Sequence, residues 1–225
     1  MDKGAIINIQ SNMCVDDVFT RLAHIFAHNS DIEIAAVICA WFCNCVDDDR
    51  EAEYVINKTL RFTMGNEPTS YVVNERWKDN TENVYFRILT NDSFIALMKS
   101  LKEIYTSTTL SVLLTRKKNT HTYTMLAELL GGNTGLPTRQ SKCSYYSYNL
   151  ITYWLTYKAH VWNRSISRKA LLPVTQTVWQ RAIKLGFTKK REISFDNIRS
   201  LTSKSKELFG DDDYYKMYEL LKYGL

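Results

Sequence analysis

Residues 31–43 read DIEIAAVICAWFC, and this stretch decides the fold class. Apolar side chains occupy nearly every position of it instead of forming a single stripe, a pattern typical of a helix that is buried on all sides. Ser30 and Glu33 have the spacing of a capping box, which predicts that the helix begins just before Ile32. We therefore expect a central helix over 32–43, with the other elements packed around it.

Helical periodicity continues along the rest of the chain. Only three prolines occur in 225 residues, so few segments are barred from forming helices. Pro173 is expected in the first turn of one helix, and Ser194 is expected to open the next one. Residues 109–115 are rich in β-branched side chains and predict one short strand. The fold class is therefore expected to be all-α, with further helices over about 52–64, 92–105, 120–130, 142–158, 173–186, 194–209 and 214–223.

The composition is that of a folded chain. Hydrophobic residues make up 45% and aromatic residues 12%, which suffices for a substantial core at this length. No apolar run approaches the roughly 20 residues that a membrane-spanning helix needs, and residues 1–13 lack the features of a signal peptide. We expect a cytoplasmic protein with no membrane contact, and the oligomeric state stays open.

The five cysteines predict reduced thiols. Their number is odd and no secretion signal precedes them, which argues against a disulfide framework. Cys39 and Cys43 lie inside the apolar stretch, where a free cysteine behaves as a small hydrophobic residue. No second ligand pair at zinc-like spacing follows them, so neither a metal nor a cofactor is expected.

Charge is strongly polarised along the chain. Residues 1–110 carry ten basic and sixteen acidic residues, a balance of −6. Residues 139–206 carry fourteen basic and only two acidic residues, a balance of +12. Clustered cations commonly meet a polyanion, because each phosphate that they neutralise releases condensed counterions. The alternative is a solvated basic face with no partner. The fourteen cations are Arg139, Lys142, Lys158, Arg164, Arg168, Lys169, Arg181, Lys184, Lys189, Lys190, Arg191, Arg199, Lys204 and Lys206.

The predicted helix over 142–158 is rich in aromatic residues, and two interpretations are open. Its tyrosines and its tryptophan could stack on unpaired bases beside the cationic segment. Aromatic residues on a helix more often bury their area against neighbouring elements.

Six segments together resemble the helix-hairpin-helix DNA glycosylase superfamily, and most closely an uncharacterised bacterial branch related to the archaeal 8-oxoguanine glycosylases. The order and spacing of the segments carry the resemblance, which covers about residue 31 to the C-terminus. The segments are DIEIAAVICAWFCN (31–44), DSFIALMKSLKEIY (92–105), GLPTRQSKCSYYSYNLITYW (135–154), LLPVTQTVWQRAIKLGFTKK (171–190), DNIRSLT (196–202) and YYKMYELLKYGL (214–225).

The resemblance implies a single two-lobed helical unit over 1–225 with an active-site cleft between the lobes. Residues 31–130 would form approximately the first lobe, 131–190 the hairpin and cleft helices, and 191–225 the C-terminal helices. In such enzymes, backbone N–H groups of the hairpin hold a DNA phosphate, and the damaged nucleotide swings into the cleft. A hairpin lysine attacks C1′ of the sugar to form a Schiff base, while an aspartate steers charge and protons.

This chain departs from the branch at the catalytic positions. The hairpin lysine position holds Ser144, with the nearest amine displaced to Lys142. The aspartate position holds Thr175, followed by Gln176. A two-residue offset on a helix turns a side chain by about 200°, and threonine supplies no fixed negative charge. Lys142, Ser144, Thr175 and Gln176 are thus only positional equivalents of catalytic residues.

Three functional hypotheses follow. The first is a DNA-binding protein of the base-excision-repair glycosylase fold with a degenerate catalytic site, whose partner is duplex DNA, damaged or not. The second is an active DNA glycosylase or AP lyase that uses Lys142. The third is a non-catalytic scaffold that binds RNA or an acidic protein. The residues expected to bind nucleic acid are Arg139, Lys142, Arg164, Arg168, Lys169, Arg181, Lys189, Lys190 and Arg191.

Overall fold

The computed structural model describes residues 19, 23–43, 54, 56–79, 91–116, 120–140 and 145–224. Every regular element within these ranges is helical, which confirms the all-α prediction. The α-helices are α1 (Asn29–Cys43), α2 (Pro68–Val73), α3 (Asn91–Tyr105), α4 (Leu110–Arg116), α5 (Thr122–Leu130), α6 (Tyr146–Tyr153), α7 (Arg164–Ser167), α8 (Gln176–Lys184), α9 (Phe195–Phe209) and α10 (Tyr215–Tyr223).

Two π-helical segments and a 3-10 turn complete the regular structure of the described ranges. The π-helix Lys58–Met64 precedes α2, and the π-helix Trp154–Lys158 continues α6 without a break. The 3-10 turn Arg76–Lys78 follows α2. None of the helices in these ranges combines the length and the apolar composition that a membrane crossing requires.

Helix α1 is the centre of the fold, as its sequence predicts. Every side chain from Glu33 to Phe42 is buried, and α1 packs against α2 and α6. The indole Nε1 of Trp41 donates a hydrogen bond of 2.6 Å to the carbonyl of Thr134, in the connection between α5 and α6. The buried apolar side chains of both halves of the sequence form one cluster around this helix.

The predicted capping box at the start of α1 is wrong. The helix begins at Asn29, so Ser30 lies inside its first turn, where its hydroxyl accepts a hydrogen bond from Thr69. The carboxylates of Asp31 and Glu33 are both buried and turn inward. Asp31 Oδ1 accepts a hydrogen bond of 2.7 Å from the backbone N–H of Thr69 in the first turn of α2. Asp31 therefore caps α2, a neighbouring helix and not its own. Backbone N–H groups at a helix start donate to such a partner because they have none within their own helix.

Residues 109–115 do not form the predicted strand, since α4 begins at Leu110. Glu33 accepts hydrogen bonds from the backbone N–H groups of Leu110 and Ser111, at 3.2 and 3.3 Å. Leu110 and Leu114 lie one turn apart and are both buried. A cap and a buried stripe outweigh the weak strand preference of the β-branched residues.

Helix α8 begins three residues later than predicted. Pro173 lies outside it, in a buried non-helical segment over 170–174, and Thr175 is the N-cap residue. Backbone N–H groups in this segment donate to side chains, from Leu171 to Asn149 Oδ1 and from Leu172 to the hydroxyl of Thr202. The segment is held in place by these bonds, so the helix starts only where Thr175 can cap it.

Other helix ends are also informative. Helix α6 begins at Tyr146, later than predicted, because Tyr145 adopts a left-handed conformation with φ of 50°. Helix α9 begins as predicted, with the hydroxyl of Ser194 accepting from the N–H of Asn197. It ends at Phe209, and the C-cap residue Gly210 has a φ of 86°, a conformation that favours glycine.

Candidate nucleic-acid interface

Four aromatic side chains from three separate segments meet at one place, and we call them the aromatic cluster: His121, Tyr123, Tyr145 and Phe195. The rings of His121 and Tyr123 stack with centroids 5.2 Å apart, and those of Tyr123 and Tyr145 lie 4.9 Å apart. Phe195 presents its ring edge-on to both tyrosines, at 5.5 and 6.1 Å. Such pairs hold side chains in defined orientations.

The three segments reach the cluster by different local rules. Tyr123 belongs to the first turn of α5, two residues after the exposed His121. Tyr145 is placed by its left-handed backbone, and its hydroxyl donates a hydrogen bond of 3.0 Å to the carbonyl of Arg139. Phe195 is the first residue of α9 and remains half-buried.

Three basic residues interact with this cluster, two of them through backbone atoms. The Nδ1 atom of His121 lies 3.4 Å from the carbonyl oxygen of Lys169. Burial raises the pKa of Tyr123, and the positive charge of Arg199 opposes part of that shift. The backbone of Arg139 is tied to Tyr145 through the hydroxyl contact described above. Backbone carbonyls of Arg139 and Lys169 therefore contact the cluster, and the charge of Arg199 acts on Tyr123.

The loop that leads from α8 to Phe195 of the aromatic cluster carries three consecutive basic residues. Lys189, Lys190 and Arg191 are all exposed, and none has an acid within ion-pair distance among the described residues. Trp179 Nε1 donates a hydrogen bond of 3.1 Å to the carbonyl of Lys190, which fixes the middle of the loop. We call these three residues the basic loop.

The far end of the basic loop is fixed as well. The side-chain amide of Asn197 donates a hydrogen bond of 3.0 Å to the carbonyl of Glu192. Phe195 follows three residues later and packs into the aromatic cluster. The backbone therefore holds exposed cations at a defined place, which reduces the entropy that binding a partner would cost.

Acids outside the segment 139–206 neutralise part of its charge. Arg139 pairs with Glu128 at 3.0 Å, and Arg168 pairs with Asp212 at 3.2 Å. Both pairs are largely exposed, so water screens them and they remain open to exchange with phosphate. The 2.6 Å contact of Lys158 Nζ with Glu219 is mostly buried.

Arg181 has partners of its own. Its Nη1 donates hydrogen bonds to the carbonyls of Leu221 and Lys222, at the end of α10. A cation at the C-terminus of a helix satisfies carbonyls that have no partner within the helix. This contact joins α8 to α10. It gives Arg181 a structural role that needs no bound nucleic acid.

The predicted nucleic-acid residues thus fall into several groups. Lys189, Lys190 and Arg191 lie together in the basic loop, while Arg164, Arg168 and Lys169 lie in and just after α7. The backbone carbonyls of Lys169 and Arg139 contact the aromatic cluster, and the Arg181 side chain is bonded to the end of α10. Lys142 lies outside the described residues.

Of the four positional equivalents of catalytic residues, two lie in the described part of the chain and two do not. Ser144, like Lys142, lies outside the described residues. The hydroxyl of Thr175 accepts the N–H of Val178 at 3.3 Å as the cap of α8, and Gln176 is exposed in the first turn of that helix. No group of three His, Cys, Asp or Glu side chains suited to a metal ion occurs in the described part of the chain.

Sequence reasoning missed His121, Tyr123 and Phe195 as site residues. Their positions are separated by 22 residues or more between segments, so no local spacing connects them. The sequence held one signal for these residues, the Ser194 cap, which predicts that Phe195 lies at the start of α9. Of the aromatic residues on α6 and the π-helix that continues it, Tyr148, Tyr153 and Trp154 are buried in the core, which agrees with the more common of the two interpretations.

Comparison with known proteins returns a family but no individual relative. No curated protein and no solved structure matches the chain. The family described as DUF2400, protein of unknown function, matches residues 20–225. Because this match extends over nine-tenths of the sequence, the chain belongs to the DUF2400 family.

Proposed function

We propose that the protein binds duplex DNA through the aromatic cluster and the cations around it. The observation that carries the proposal is the exposed basic loop, which leads to Phe195 of the aromatic cluster and has no acid within ion-pair distance among the described residues. Arg199 adds a positive charge close enough to Tyr123 to lower its pKa. Cations supply affinity for the phosphate backbone by releasing counterions. Accessible rings such as those of His121 and Phe195 can stack on a base that has left the duplex or is unpaired.

We further propose that the protein has the two-lobed helix-hairpin-helix glycosylase architecture with a degenerate catalytic site. The resemblance of the sequence to that superfamily and the all-α fold support the architecture. The role of Thr175 as a helix cap supports the loss of catalysis. A neutral, already bonded hydroxyl cannot replace an aspartate that stabilises positive charge on a sugar.

Salt dependence of binding tests the proposal. The affinity for a short fluorescent duplex is measured by anisotropy at several salt concentrations. We expect the logarithm of the binding constant to fall linearly with the logarithm of salt concentration. Replacing Lys189, Lys190 and Arg191 with glutamine should lower the steepness of that line by up to about 3, one unit for each phosphate that is no longer neutralised.

The matched control keeps the positive charge at each position and exchanges only the ammonium and guanidinium groups that carry it. The variant Lys189→Arg, Lys190→Arg, Arg191→Lys should retain the wild-type affinity within about threefold, since phosphate neutralisation needs positive charge. Lys99→Gln, which removes one exposed charge from α3, should also bind like the wild type. A binding constant independent of salt, or a glutamine variant that binds as well as the wild type, would refute the proposal.

Competition identifies the polyanion. Unlabelled duplex DNA, structured RNA and heparin are compared at matched charge. A duplex binder should be displaced by DNA at the lowest concentration. Preferential displacement by RNA or by heparin would instead support a scaffold for RNA or for an acidic protein.

The degenerate site is tested separately by trapping with borohydride. Abasic and 8-oxoguanine duplexes are incubated with the protein under reducing conditions. We expect no covalent adduct. An adduct that disappears in Lys142→Gln would show an active lyase and overturn the catalytic part of the proposal.

A further inference from the structure

A cavity of about 290 Å³ lies between α4, α5 and the segment from Ser165 to Lys169. Neither Thr175 nor any residue of the basic loop lines it, so it is separate from both. Its size is near the lower end of ligand pockets in proteins, about 300 Å³, so it suits a small molecule rather than a stretch of polymer.

The floor of the cavity is apolar. Leu114 from α4, Met125 from α5 and Ile166 from α7 line it, and all three belong to the buried core. Side chains of this kind favour a ring or a short aliphatic group over water. Met125 adds a flexible thioether that packs well against aromatic rings.

The polar groups that line the cavity include three side-chain donors, and no acid from the described part of the chain lines it with them. Lys169, Ser165 and Thr120 line it, and neither the ammonium group nor the two hydroxyls form a hydrogen bond with another described residue. The hydroxyl of Thr122 donates to the carbonyl of Ile166 at 2.8 Å. No Asp or Glu of the described residues lines the cavity. Among the described residues, the lining therefore carries the positive charge of Lys169 and the hydroxyls of Ser165 and Thr120 above an apolar floor, while the hydroxyl of Thr115 donates to the carbonyl of Val112.

We propose that this cavity binds a small organic anion, with a ring on the apolar floor and a phosphate or carboxylate at Lys169, Ser165 and Thr120. The ammonium group supplies the charge complement, and hydrogen bonds to an ionised oxygen are the strong ones. The inference goes beyond the proposed function, because it concerns a small molecule and does not require that the protein bind DNA.

Methyl NMR on the full chain tests the proposal directly. The Met125 ε-methyl and the Ile166 δ1-methyl are observed while phenyl phosphate, benzoate, benzyl alcohol or benzylamine is added. We expect phenyl phosphate or benzoate to shift both methyl signals until the cavity is saturated. The compound that binds more tightly identifies the preferred acid group. The neutral and cationic ring compounds should bind at least about tenfold more weakly, because they lack the charge that Lys169 complements.

Variants connect the shifts to the named donors. Lys169→Gln should weaken the preferred anion about tenfold, and Ser165→Ala should weaken it a few-fold. Lys184→Gln removes an exposed charge that does not line the cavity and should leave the affinity within about twofold. The undisturbed remainder of each methyl spectrum shows that the variant is folded. The proposal is refuted if neither anion shifts the two methyls, if benzyl alcohol binds as tightly, or if Lys169→Gln and Ser165→Ala both bind like the wild type.

Discussion

The indole Nε1 of Trp162 donates a hydrogen bond of 2.8 Å to Oε1 of Glu33, across 129 residues of sequence. The same buried carboxylate accepts a hydrogen bond of 2.6 Å from the hydroxyl of Tyr105 and caps α4 through Leu110 and Ser111. Glu33 therefore ties the central helix to the end of α3, the start of α4 and the segment before α7. An acid buried at this depth is tolerated because four donors surround it.

Removing this carboxylate should destabilise the whole fold. Glu33→Ala leaves up to four buried donors without an acceptor, and we expect the free energy of unfolding to fall by about 3 kcal/mol or more. Glu33→Gln keeps the volume and should cost less, about 1–3 kcal/mol. Urea unfolding measures both. Glu103→Ala, at an exposed position of α3, should change the stability by no more than about 0.5 kcal/mol. Equal effects at the two positions would contradict this role of Glu33.

Arg181 and Lys190 should separate stability from binding. Arg181→Met removes the bonds to the carbonyls that end α10, and we expect it to lower the free energy of unfolding by about 2 kcal/mol. Lys190→Met should leave the stability within about 0.5 kcal/mol and reduce the salt dependence of DNA binding by about one unit. Urea unfolding and anisotropy are carried out on both proteins. The reverse pattern would mean that Arg181 is a binding residue and the basic loop a structural one.

Thr175 should behave as a helix cap. Thr175→Ala removes the acceptor for the N–H of Val178 and should cost about 1 kcal/mol of stability. Thr175→Asp keeps an acceptor and adds a negative charge at the start of α8, so its stability should equal or exceed that of the wild type. Thr177→Ala is the control, because Thr177 is exposed within the helix and alanine favours helix. Thermal unfolding ranks the three variants, and a loss for Thr175→Asp as large as for Thr175→Ala would argue against capping.

The tyrosine at position 71 should make stability fall at alkaline pH. Burial raises the pKa of Tyr71 from 10.0 to about 12, and its hydroxyl has no hydrogen-bond partner among the described residues. Above pH 10.0 the unfolded chain loses this proton while the folded protein keeps it, so unfolding becomes easier up to about pH 12. Tyr71→Phe should match the wild type at neutral pH and lose less stability in the alkaline range. Urea unfolding at neutral pH and near pH 12 measures how much stability each protein loses. The two proteins should lose the same amount if the Tyr71 hydroxyl ionises normally in the folded protein.

The sequence predicted helices well where one strong local signal sets each boundary. The buried stretch of α1 and the Ser194 cap of α9 are both recognised from neighbouring residues. Helix α9 begins where the pattern predicts it, and α1 covers the predicted stretch but begins three residues earlier, at Asn29. Predictions were wrong where a side chain bonds to a partner distant in sequence instead of to the neighbouring backbone that the local pattern indicates. Glu33 has the spacing to cap its own helix, but burial turned its carboxylate toward α4 and Trp162 instead.

The candidate interface could be predicted only in part. The excess of basic residues after residue 139 is visible in the sequence, and it indicated a polyanion partner. Which cations remain available was not visible, because their acidic partners come from other segments. Glu128 pairs with Arg139, Asp212 pairs with Arg168, and the carbonyls of α10 engage Arg181.

The amino-acid sequence by itself determined the all-α class, the central buried helix and the polarity of charge, because each depends on composition and on spacings within one or two helical turns. Only the tertiary structure decided that His121, Tyr123, Tyr145 and Phe195 meet, that Trp179 fixes the basic loop, and that Lys169 lines a cavity. These contacts join residues far apart in the chain, and the packing of whole helices, not any local preference, sets which of them come together.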